Sequence, residues 1–152
     1  MEINRGAMKA PLATDWVTVA DTSGTGTGIV SSADIAIPFS ALPSFINPVL
    51  EVEVGTRKSA GTGMVRCWVV YASVSQVNVT ENAAATLYAT NYAVVSDVTI
   101  LTKKFYIQIP VLAGHHNVVN QSQYCLVKGA GTAADTGWTI QNIKARLIYT
   151  PI

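Results

Sequence analysis

Short runs in which apolar and polar residues alternate recur along most of this chain, and they constrain its fold more than any other feature. Val49–Val54 puts Leu50, Val52 and Val54 on one side and Glu51 and Glu53 on the other. Phe105, Ile107, Ile109 and Val111 share a face, with Tyr106 and Gln108 opposite. A period of two marks an extended strand, because successive side chains leave the backbone on opposite sides. Gly, Thr, Ser and Ala clusters separate the runs, as at 21–28 and 129–137. Strands spaced this way point to an antiparallel sandwich or barrel. Repeated βα units and internal repeats are both missing from the pattern, which disfavours a parallel α/β sheet, a propeller or a solenoid. The expectation is an all-β, antiparallel β-sandwich, jelly-roll-like, with about eight or nine strands.

The runs can be placed along the chain. Residues 1–14 lack periodicity and contain Pro11, so they read as an N-terminal arm, with one sandwich domain over 15–152. The first strand is expected at Asp15–Ala20 and a second, broken near Ser31-Ser32, at Ile29–Ile37. Ser40–Pro48 reads as a loop or a single helical turn, and Arg57–Gly63 as a polar turn. Met64–Ala72 is apolar on both faces, which fits a central strand or one facing a subunit. Glu81–Ala89 is the one stretch with helix character, with Asn82 as its cap. Tyr92–Leu101 and Lys103–Val111 read as strands joined by a tight connection. Ser122–Lys128 follows, and Trp138–Thr150 is a strand pair or one long bent strand. Val65–Val70, Phe105–Val111 and Ile143–Tyr149 are expected inside the sheets because of their apolar density.

Composition narrows the function. Of 152 residues, 12% are charged and 49% hydrophobic, with a net charge of +1. No overall field favours nucleic acid or an anionic membrane. Near-neutral surfaces tend to associate, and so much apolar content implies a large core or a face covered by another subunit. Ile35–Leu50 lacks charge but carries Pro38, Pro43 and Pro48 and is too short to span a bilayer as a helix. Met1–Gly6 opens no apolar run of signal-peptide length, so synthesis in the cytoplasm without export is expected.

Catalytic and cofactor chemistry finds little support. Gly24-Thr-Gly26-Thr-Gly28 has no phosphate-loop Lys and runs into strand residues Ile29 and Val30. Asp21, Ser23 and Thr25 faintly resemble a calcium loop, but Ser32 stands where a bidentate acid is needed. His115 and His116 are adjacent, so on extended backbone they point apart, and zinc wants three or four ligands. They read as a solvent-facing loop or as a contact across a symmetry axis. Cys67 and Cys125 lie within strand patterns and read as buried thiols. Glu51 and Glu53 share a strand face at the separation of a carboxylate pair, but a solvated outer face accounts for them. Trp16, Trp68 and Trp138 could line a sugar platform, although their strand positions favour core packing. No enzyme and no cofactor is expected.

The runs Val49–Val54, Val65–Val74, Phe105–Val111 and Ile140–Thr150 give most of the chain a style that resembles the small β-sandwich and jelly-roll proteins building or decorating virus and phage particles. That resemblance implies a non-enzymatic virion protein, a capsid decoration or coat subunit. It also implies self-association into trimers or pentamers, docking on major capsid or other virion proteins, and no nucleic-acid or membrane partner. Ile3, Met8 and Leu12 would then anchor the arm on a neighbouring subunit. The alternative is a carbohydrate- or receptor-binding β-sandwich, which requires exposed aromatics clustered on one face or loop set.

Overall fold

The computed structural model describes residues 10–36, 45–60, 64–72, 77, 87–88, 93–95, 100–109, 124–131 and 137–151. Twelve strand segments account for most of them, in two antiparallel sheets. In chain order they are β1 (Leu12–Ala13), β2 (Val17–Val19), β3 (Thr22–Thr25), β4 (Val30–Ser31), β5 (Ile35–Ala36), β6 (Phe45–Ala60), β7 (Val65–Ala72), β8 (Leu87–Tyr88), β9 (Ala93–Val95), β10 (Leu101–Gln108), β11 (Tyr124–Gly131) and β12 (Gly137–Pro151).

The short segments are interrupted strands. β1, β2 and β3 follow one another along one side of β12, opposite 148–149, 143–145 and 137–140. β4 and β5 do the same along β11, and β9 and β8 along β7. Among the described residues each sheet therefore has four lanes. The β12 sheet runs β1-β2-β3, β12, β6, β10, and the β11 sheet runs β4-β5, β11, β7, β8-β9. Numbered along the chain, the lanes alternate in the order first, eighth, third, sixth and second, seventh, fourth, fifth. That is a jelly roll, with two Greek keys wrapped into a sandwich.

Alternation fixes what each sheet buries. Leu50, Val52, Val54, Phe105, Ile107, Ile140, Ile143, Ala145 and Leu147 from the β12 sheet pack on Val65, Cys67, Val69, Tyr71, Cys125 and Val127 from the other. Between Ile140 and Ile143 the period of two fails, and the register with β6 shifts there. Asn142 sits at φ 53°, a left-handed conformation that Asn tolerates, and the extra residue returns Ile143 to the core. Asp21 holds this bulge by accepting the Asn142 N–H at 3.1 Å. Its partner in the calcium-loop reading, Ser23, is bonded across the sheet to Thr139 at 3.1 Å. Trp138 lies fully buried against Gly24 and 3.0 Å from a Cβ position on Gly129, so both glycines leave room for the indole.

Several expectations need correction. The 57–63 turn is strand through Ala60, and Phe45–Pro48, expected in a loop, also belongs to β6. The 81–89 helix is contradicted at Leu87–Tyr88, which pair with β7, while its other residues lie outside the described ones. β10 begins at Leu101, so no connection falls at 101–103. Among the described residues β10 pairs only with β6, which places it at a sheet edge rather than inside, whereas β7 and β12 are interior as expected. Leu12–Ala13 pair with Tyr149 and Ile148, so the sheet begins within the stretch read as an arm. One long strand rather than a strand pair spans 138–150, and the bulges let it stay continuous.

Candidate interaction surfaces

The outer face of the β12 sheet carries a charged lattice. Glu51 and Glu53 rise from β6, Lys104 and Tyr106 from β10, and Lys144 and Arg146 from β12. Register aligns them in two rows across the strands, Arg146–Glu51–Tyr106 and Lys144–Glu53–Lys104. Arg146 Nε donates to Glu51 Oε2 at 2.7 Å, and Lys104 Nζ lies 3.3 Å from Glu51 Oε1. Lys104 and Lys144 reach Glu53 at 3.8 and 3.7 Å. Trp16, just before β2, extends the first row, with its ring 4.3 Å from the Arg146 guanidinium and 4.6 Å from Lys144 Nζ.

Glu51 was expected to be solvated, yet its side chain is 2% exposed. Alternation had placed it on the outer face correctly, but its neighbours cover it. Burial alone pushes its carboxyl upward, and hydrogen bonds from Arg146 and Lys104 outweigh that and hold it below the ordinary carboxylate value. The same contact raises Lys104. An ionised, doubly paired Glu51 cannot serve as the protonated acid of a glycosidase carboxylate pair.

A second surface lies at one end of the sandwich. β3, β6, β9 and β11 end there and β7, β10 and β12 begin. The Gly131 N–H donates to the Gly26 carbonyl at 3.0 Å and ties the two sheets together at that end. Met64, Ile100 and Leu101 stand at this rim, each more than two-fifths exposed. Leu12, 49% exposed on β1, lies toward the other end. Ile3, Met8, His115 and His116 lie outside the described residues.

The remaining candidates are interior. Cys67 and Cys125 are free and buried, and Cys67 Sγ is 2.9 Å from Thr56 Oγ1. Burial, helped by Asp34, pushes the Cys125 thiol up to about 12, and burial raises Tyr71 as well. Among the described residues no three His, Cys, Asp or Glu side chains gather as a metal site, and no helix is long and apolar enough to cross a membrane. Trp68 and Trp138 are buried as expected, but Trp68 is on the outer side of the β11 sheet with Val70, Leu126 and Ala130. Trp16, expected in the core with the other two tryptophans, is only half-buried and stacks instead on Arg146, a residue 130 positions away, because only the sheet brings the two together.

No family model matches the chain, and no curated protein matches it in sequence. Its fold is that of β-sandwich domains in solved virus particles. The Gx strain of infectious bursal disease virus overlays with a TM-score of 0.52 at 10% identity, over 94% of this chain and 34% of that one. A second particle structure of that virus gives 0.52 at 12% identity, over 92% and 31%. A family 16 carbohydrate-binding module overlays more loosely, at 0.44 and 13% identity over 81% and 73%. The chain thus spans about a third of the length of the viral chains it matches.

Proposed function

We propose that this chain is a non-enzymatic structural protein of a virus or phage particle, a decoration or coat subunit that works by self-association and by docking on a particle lattice. The observation that carries the reading is the apolar rim of Met64, Ile100 and Leu101 at one end of a jelly roll. Exposing such side chains at one end costs an isolated domain free energy in water, whereas a subunit interface buries them. The low net charge removes long-range repulsion between copies. The shared fold with capsid domains is compatible with this role. In the same reading, the stretch before Leu12, with Ile3 and Met8, docks on a neighbour, and His115 and His116 meet across a symmetry axis in a trimer or pentamer.

Light scattering on a sizing column tests it. The protein should elute as a discrete oligomer or enter particles, and Met64→Glu with Leu101→Glu should dissociate it without lowering its melting temperature. A monomer at high micromolar concentration that enters no particle would overturn the reading.

A further inference from the structure

We propose that the outer face of the β12 sheet binds an acidic oligosaccharide, with Trp16 and Tyr106 as stacking platforms and Lys104, Lys144 and Arg146 as donors to its carboxylate or sulfate groups. This site is independent of whether the chain assembles.

Charge on this face is sorted by depth. The carboxylates lie low, Glu51 at 2% and Glu53 at 21% exposed, while Lys104, Lys144 and Arg146 stand higher at 47%, 33% and 30%. Three cations also cover two carboxylates, so the lattice is left with one positive charge in excess. What solvent meets is therefore a layer of ammonium and guanidinium donors held in place from below. Prior anchoring lowers the side-chain entropy lost on binding, and charge-assisted hydrogen bonds to an anion are the strong kind.

The aromatics make the partner a sugar rather than a bare polyanion. The Trp16 ring stacks within 4.3 Å of the Arg146 guanidinium and 4.6 Å of Lys144 Nζ yet is only half-buried, so part of the indole stays open to solvent. Tyr106 is 60% exposed, beyond any packing need, with its hydroxyl 3.5 Å from Glu51 Oε1. Both rings lie on the row through Arg146 and Glu51, at its two ends. Three inter-strand steps separate their backbones, roughly 14 Å, a span that suits a short oligosaccharide rather than one sugar. Aromatic faces carry negative π density and accept the C–H face of a pyranose, while ring hydroxyls and acid groups reach the cations between them.

Calorimetric titration decides it, using an oligogalacturonide, a heparin-derived oligosaccharide, the methyl ester of the oligogalacturonide and an oligoglutamate of equal charge. At least one of the two acidic sugars should bind. The methyl ester should bind at least tenfold more weakly if the oligogalacturonide is the ligand, and the oligoglutamate should bind at least tenfold more weakly than either acidic sugar that binds. Tyr106→Ala should weaken sugar binding about fivefold to tenfold with an unchanged melting curve, since its ring is exposed. Trp16→Ala should do the same, and Lys104→Gln should weaken only acidic ligands. Failure of both acidic sugars to bind overturns the proposal. So does equal binding of oligoglutamate, or an affinity that Tyr106→Ala leaves intact, since either reduces the face to a charge patch.

Discussion

Glu51 carries the sharpest lesson at the scale of single residues. A carboxylate left only 2% exposed survives only because Arg146 and Lys104 donate to it. Its folded pKa is depressed below the ordinary 4.5. The unfolded chain therefore takes up that proton first, and the stabilisation is present above about pH 4.5 and lost as pH falls through the folded value. Glu51→Gln should cost about 1–3 kcal/mol at neutral pH, through a weakened pair with Arg146. It should also flatten the fall in urea midpoint on acidification below pH 4.5 relative to wild type. A variant whose acid profile matches wild type would show that Glu51 is not the titrating group.

Elements here are defined by what covers them. β7 is apolar on both faces because each face is buried, Val65, Cys67, Val69 and Tyr71 toward the other sheet and Trp68 and Val70 on the outside. Trp68 is 3% exposed, so Trp68→Ala should destabilise by about 3–5 kcal/mol, read from reversible denaturation at equilibrium. A loss under about 1 kcal/mol, the range of surface substitutions, would mean that the outer cluster opens in solution. β10 has the same apolar density on one face, yet it is an edge among the described residues, because the pattern of a strand records its faces and not its neighbours. Lys103, which shares the inward face with Phe105 and lies 5.7 Å from its ring, is a charge of the kind that discourages edge-to-edge pairing.

At the scale of the molecule, the two sheets, four lanes each among the described residues, close around a core that holds both thiols. Burial pushes Cys125 up to about 12, against 9.0 for a free thiol. A raised pKa stabilises the fold below the unfolded value and withdraws that stability as pH rises beyond about 9. A thiol reagent at neutral pH should therefore leave Cys67 and Cys125 unlabelled in the native protein and modify both once urea unfolds it. Rapid labelling without denaturant would show that the sandwich opens locally.

Alternation in the sequence determined the all-β class and the inward faces of β6 and β10, because a period of two is a local property of the backbone. β7 is apolar on both faces, and only the packing of the other sheet decides which side faces it. The break at Ser32 was equally legible in turn residues. Thr22–Thr25, inside the expected 21–28 turn, are nevertheless strand β3, and Gly129–Gly131, expected in a loop, complete β11. Small polar residues and glycines also fit a strand when long partners pair with them. Lane order, the edge position of β10 and the pairing of Leu12 with Tyr149 were decided only by tertiary structure, since each depends on partners far along the chain. The candidate site was hidden for the same reason. Trp16, Glu51, Tyr106 and Arg146 stand on four different lanes, and only register across the sheet sets them in one row.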